Sequence, residues 1–229
     1  MYDMEQISNN FTLDLSDGFP LSTDSMILAD FVKLPKNAQV LDLGSGCATL
    51  GLLLCARDTG CTVTGLELEE RPHAAALENI ARNGLSTRLF SICADLRTMP
   101  FEPGSFHVCI SNPPYFSGGA RHSKNATARQ EDTCTPRELF AAASRALRWG
   151  GDFFLVHKPE RLAELIFEAS SAGLEPKRLR LVRHRPGAPI NLILLSCRKG
   201  GKPGLQIEEL TLFADDGTPT DDYKRIYHQ

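Results

Sequence analysis

The residues best equipped for chemistry stand together at Ser111-Asn112-Pro113-Pro114-Tyr115. They follow an apolar run, Phe106-His107-Val108-Cys109-Ile110, that reads as a buried strand. Proline gives no N–H to a ladder, and two in succession stiffen the exit from a strand. One carboxamide and one aromatic ring are thus held at a strand's C-terminal end, the edge of an open α/β sheet where ligands bind. The arrangement suits methyl transfer to a planar amine. The lone pair of an exocyclic amine is delocalised into its ring, so the nitrogen is a weak nucleophile. The Asn112 side-chain oxygen and the Pro113 carbonyl can each accept one of its N–H groups. That favours an sp3-like nitrogen and stabilises the positive charge that grows during attack. Tyr115 offers a face for stacking. No strong general base is required, because the methylated nitrogen sheds its proton readily. The alternative is a stiff strand exit with a satisfied asparagine.

A second chemical signal lies upstream. Val40-Leu41-Asp42-Leu43-Gly44-Ser45-Gly46-Cys47-Ala48-Thr49-Leu50-Gly51 reads as strand, glycine turn and helix. A dinucleotide fingerprint would need a third glycine where Thr49 stands. Asp42 is also unfavourable beside a pyrophosphate, but suits a ligand carrying an ammonium or sulfonium. The pattern D-x-G-x-G after a strand points to S-adenosylmethionine (AdoMet). The turn lets the backbone approach its methionine end, and the helix N-terminus favours its carboxylate. Glu67, ending the next strand, Cys61–Leu66, is placed for ribose hydroxyls, roughly 20 residues on. Asp95, ending the run Arg88–Ala94, either accepts a hydrogen bond from the cofactor's adenine or caps the following turn. Ser45, Leu68 and Leu96, adjacent to these residues, complete the cofactor-binding set.

The elements that must position these groups alternate in type. A short edge strand or hairpin arm is expected at Phe11–Leu15, then a helix over Met26–Val32. Ser22-Thr23-Asp24-Ser25 supplies cap candidates ahead of it; Asp24 either caps or belongs to a loop folding over the cofactor. Helices follow at Arg71–Asn83, from Pro136 through Leu147 to a stop at Gly150-Gly151, and at Pro159–Ala172. Strands are read at Phe153–His157, Leu179–Arg183 and Asn191–Cys197, the last two as a hairpin. One more strand-like run covers Leu205–Phe213, and a short helix closes the chain at Asp221–Tyr227. From Phe116 to Arg129 the chain is basic and free of acids, and reads as a flexible loop that orders on substrate, with Arg121, Lys124 and Arg129 as phosphate contacts. No acid occurs between Pro176 and Ile207 either. The basic residues there, with Arg183 and Arg185 foremost, read as a stripe for a polyanion or as scattered solvated charges.

Composition bounds the rest. The 229 residues suit one domain, and a formal net charge of -3 confines any nucleic-acid surface to a local patch. Met1-Tyr2-Asp3-Met4-Glu5 has no signal-peptide character, and no apolar run is long enough for a bilayer, so a cytoplasmic protein without membrane contact is expected. The seven cysteines are scattered without a C-x-x-C pair, which predicts reduced, mostly buried thiols; the histidines lack metal-ligand spacing, so no metal is expected.

Asp42-x-Gly44-x-Gly46, Glu67, Asp95 and Asn112-Pro113-Pro114-Tyr115, in this order, resemble the class I AdoMet-dependent methyltransferases of the N-P-P-Y type. More narrowly, the chain is similar to the bacterial tRNA1(Val) (adenine-N6)-methyltransferase family. The added matches are Ser22-Thr23-Asp24-Ser25, Arg129-x-Glu131, Val156-His157-Lys158-Pro159-Glu160-Arg161-Leu162 and the Tyr223…Tyr227 tail. Gln130 stands where the family pattern has histidine. The resemblance implies a Rossmann-like α/β fold, with a seven-stranded, mostly parallel sheet and a C-terminal antiparallel hairpin. Residues 1–34 would form an extension packed on a methyltransferase domain at 35–229. It implies a monomer acting on tRNA at adenine N6 beside the anticodon. Asn112 through Tyr115 would be catalytic; Asn112 would also border the cofactor held by Asp42, Gly44, Ser45, Gly46, Glu67, Leu68, Asp95 and Leu96. Protein glutamine, rRNA and DNA acceptors share the same planar amine, and a non-catalytic AdoMet- or RNA-binding module is the rival from another class.

Overall fold

Strands whose successive side chains divide between two apolar layers build the centre of the molecule. Val40 faces one layer, and Leu41 and Leu43 the other; Phe154 and Val156 alternate with Phe153 and Leu155 in the same way. The computed structural model describes residues 4–8, 11–14, 22–113 and 134–227. Pro114, Tyr115, Arg121, Lys124 and Arg129 lie outside them.

In chain order the elements are β1 (Met4–Ser8), β2 (Phe11–Asp14), α1 (Thr23–Phe31), β3 (Gln39–Leu43), α2 (Thr49–Arg57), β4 (Thr62–Glu67), α3 (Glu70–Arg82), β5 (Leu89–Cys93), β6 (Phe106–Ser111), α4 (Pro136–Ala146), β7 (Leu147–His157), α5 (Leu162–Ser171), β8 (Leu174–Arg183), β9 (Ile190–Lys199), β10 (Gln206–Thr211) and α6 (Asp221–Tyr227). β1 and β2 form an antiparallel pair. It is tied to the end of α3 by Asn83, which accepts from the Thr12 N–H and donates to the Thr12 carbonyl, both at 2.8 Å. The main sheet runs β10-β8-β9-β7-β6-β3-β4-β5. β9 is antiparallel to both its neighbours, and the other pairs are parallel. Buried side chains of α1, α2, α3 and α6 cover one face, and those of α4 and α5 the other.

Among the described residues the sheet has eight strands rather than seven. The extra one is β10, which lies parallel to β8 outside the β8–β9 hairpin. Its acids explain its place: Glu208 pairs with Arg178 at 3.0 Å and Arg180 at 2.7 Å, and Glu209 with Arg183 at 2.9 Å. Those pairs engage part of the acid-free stretch within the fold. Arg180 additionally reaches Asp30 on α1 at 2.8 Å, and Arg198 is held by Asp152 at 2.8 Å. Arg183 is therefore neutralised within the fold, whereas Arg185 is exposed on the β8–β9 connection. β7 differs too. It begins at Leu147, directly after α4, because Trp149-Gly150-Gly151 is taken into the strand as a bulge between Phe106 and Val108 of β6. A Cβ on Gly151 would come within 2.8 Å of the His107 carbonyl oxygen. All seven cysteines are free thiols; Cys47, Cys55, Cys61, Cys109 and Cys197 are buried. Among the described residues, no helix is long and apolar enough to cross a membrane.

Candidate active site

The chain leaves β3 for β4 and β5 on one side, then returns to place β6 on the other. This reversal opens a crevice at the strands' C-terminal ends. A cavity of about 440 Å³ occupies it, lined by Gly44, Gly46, Glu67, Leu68, Asp95, Leu96, Ser111, Asn112 and Pro113, with Cys134 and Leu139 from the far wall. Gly44, Gly46, Glu67, Leu68, Asp95, Leu96, Asn112 and Pro113, all singled out in the sequence, thus meet in one place.

The turn after β3 is built around positive φ. Gly44 (75°) and Gly46 (54°) adopt the left-handed region, and an added Cβ at either would project into open space. The turn is fastened from β4: Gly44 N–H donates to the Leu66 carbonyl at 2.9 Å, and Gly46 N–H to Glu67 Oε2 at 2.8 Å. The other oxygen of Glu67 accepts the Glu69 N–H at 2.9 Å. Glu67 therefore buttresses the glycine turn while lining the cavity. Asn79 on α3 adds a bond from its amide to the Cys47 carbonyl at 3.2 Å. The sequence signal for it was a polar residue on a buried helix face, between Ala75-Ala76 and Ile80. Ser45 turns away from the cavity: its Oγ would lie 2.5 Å from a Cβ on Gly65, so it packs over β4.

Asp42 stands behind the turn rather than in the cavity wall. It is 1% exposed, and among the described residues neither carboxylate oxygen has a hydrogen-bond partner. Burial, aided by the Glu67 charge, pushes its carboxyl up to about 8. A buried, orphaned carboxylate beside a second acid is the setting a cationic ligand would relieve. Asp95 both caps the short 3-10 turn Leu96–Thr98, accepting the Arg97 N–H at 2.8 Å, and lines the cavity. Its carboxyl is held below the usual range chiefly by the Arg97 guanidinium.

Across the crevice, β6 is anchored by Ser111, whose buried Oγ donates to the Leu43 carbonyl at 2.7 Å. The next residue, Asn112, donates from Nδ2 to Ser25 Oγ at 3.0 Å. Ser22, not Asp24, is the N-cap of α1. The sequence marked Ser25 only as a cap candidate; its meeting with a side chain 87 positions away has no local signature.

A methyltransferase small domain model matches residues 21–172. The chain belongs to the methyltransferase small domain family. This family assignment makes it an AdoMet-dependent methyltransferase, and the open glycine turn with the orphaned Asp42 carboxylate fits that cofactor. Among its relatives is the tRNA1(Val) (adenine(37)-N6)-methyltransferase of Bacteroides fragilis (strain YCH46), 32% identical over 77% of this chain and 76% of the relative. The enzyme of the same description from Shewanella sp. (strain MR-4) is 30% identical over 91% and 90%. A solved structure described as a predicted O-methyltransferase, from Agrobacterium tumefaciens, superposes with a TM-score of 0.77 at 22% identity, covering 90% of this chain and 96% of that one. Geranyl diphosphate C-methyltransferase from Streptomyces coelicolor does so at 0.61 and 12% identity, covering 76% and 78%. These two share the fold.

Proposed function

We propose that this enzyme methylates the exocyclic N6 of an adenine in tRNA, the class of position that its relatives' names give as adenine 37. The observation that carries the reading is Asn112: its amide nitrogen is engaged by Ser25, which among the described residues leaves its oxygen as the acceptor at the edge of the cavity. AdoMet, when bound, supplies an electrophilic methyl on a sulfonium. Gly44, Gly46 and Glu67 would hold its methionine and ribose portions, with Asp42 behind the turn, and Asp95 with Leu68 and Leu96 its adenine. The Asn112 oxygen and the Pro113 carbonyl accept the two N–H groups of the target amine, so that its lone pair is directed rather than delocalised. Under this reading Pro114 stiffens the chain after Pro113, and Tyr115 would stack on a base swung out of its helix. The proton lost from the methylated nitrogen passes to solvent. Arg121, Lys124, Arg129 and Arg185 are the phosphate contacts under this reading; Arg183, being paired with Glu209, contributes least.

The test is an acceptor panel. Labelled AdoMet is offered with unmodified tRNA, rRNA, duplex DNA and a glutamine-bearing protein, and the methylated product is hydrolysed and identified by mass spectrometry. N6-methyladenosine from tRNA alone is the expected result. Methylglutamine, or label in rRNA or DNA instead, would displace it.

A further inference from the structure

The carboxamide of Asn112 has two ends of nearly equal shape, and only one serves the reaction. The oxygen accepts from the substrate amine; the –NH2 end would present donors to a donor. The torsion that exchanges them joins an sp3 to an sp2 carbon and is broad and roughly two-fold, so the side chain does not choose by itself. The neighbouring backbone is fixed through Ser111 and Leu43. What remains to be set is the carboxamide itself, and the group that meets it is Ser25.

Ser25 is 6% exposed, in the first turn of α1. Its Oγ lies 3.1 Å from the Oγ of the N-cap Ser22, which also accepts the Ser25 backbone N–H at 3.1 Å. A hydroxyl has one proton and two acceptor positions. Towards Asn112 the Ser25 Oγ is the acceptor, taking Nδ2–H at 3.0 Å, and its contact with Ser22 offers its own proton a partner away from the carboxamide, so that the –NH2 end is the one that satisfies it. The far end of α1 is held as well: Arg57 donates to the carbonyls of Ala29 and Val32. We propose that Ser25 is a positioning residue for methyl transfer, selecting through the Ser22–Ser25 pair the Asn112 orientation that turns its oxygen to the substrate. The inference rests on the reading of Asn112 given above.

Single-turnover transfer from labelled AdoMet to unmodified tRNA tests it. The variants are Ser25→Ala, Ser25→Cys, Ser25→Thr and Asn112→Ala, the last with and without Ser25→Ala. Ser25→Ala should slow transfer about tenfold, the worth of one hydrogen bond, with AdoMet Kd and tRNA KM within twofold of wild type. Ser25→Thr, which keeps the hydroxyl, should restore most of the rate. Ser25→Cys, close in volume, should repeat the loss and serves if the alanine variant folds poorly. In the Asn112→Ala background Ser25→Ala should add nothing, because no carboxamide is left to orient. An equal loss in that background, or unchanged rates in both the alanine and cysteine variants, overturns the inference alone. A wild-type rate for Asn112→Ala overturns the methyl-transfer reading and this inference with it.

Discussion

Asp42 carries a carboxyl to a place where neither water nor a described donor reaches it. Its ordinary value is 3.8, and burial followed by the Glu67 charge raises it to about 8 in the fold. Between those values the folded chain keeps a proton that the unfolded chain has released. Its contribution to stability is thus complete below pH 3.8 and declines as pH rises towards about 8. Without cofactor, the stability difference between wild type and Asp42→Asn should shift in the variant's favour from pH 5 to pH 8, by about 1.4 kcal/mol per unit at most. Urea titrations of both proteins measure this; a pH-independent difference would contradict it. The acids at the strand ends were legible in the sequence, because an acid closing an apolar run beside a glycine turn has few structural uses. Their partners were not. Glu67 binding the Gly46 N–H and Ser25 binding Asn112 are contacts between segments far apart in the chain, set only once the strands are side by side.

Elements were read well where local chemistry punctuates them. Thr135 and Glu138 form the reciprocal cap of α4 with Pro136 at its first position, as the sequence indicates. The start of β7 was not legible, since Gly150-Gly151 resembles a helix stop. It is instead a bulge whose second glycine lies against the β6 backbone. Gly151→Ala should therefore destabilise the fold by about 1–3 kcal/mol through overpacking, read as a lower urea midpoint. An unchanged midpoint would show that the bulge accommodates a side chain. Pro176 similarly hid the early part of β8. It is tolerated because the β10 ladder begins only at Arg178 and a register shift falls between Pro176 and Arg178 on the β9 side.

At the scale of the whole molecule, α1 is the element through which distant parts reach the site. Asp30 near its C-terminus binds Arg180 of β8 and Arg225 of α6, while Phe31 meets Phe154 edge-on at 5.9 Å and lies 4.2 Å beneath the Arg178 guanidinium. Two arginines of the basic run, Arg178 and Arg180, are engaged at this junction. Sequence patterning could not reveal that, because Asp30 lies outside the run and Glu208 just beyond its end. Asp30→Ala leaves Arg180 with one carboxylate fewer in a mostly buried setting. It should cost about 1–3 kcal/mol of stability with AdoMet affinity unchanged; loss of AdoMet binding instead would mean that the junction shapes the cofactor site. The most direct test of the account compares wild type with Asn112→Ala in one preparation, measuring AdoMet binding by calorimetry and N6-methyladenosine formation on unmodified tRNA. Near-normal binding is expected, with turnover lowered about a hundredfold or more, as for other lost charge-stabilising contacts. Turnover close to wild type in that variant would contradict it.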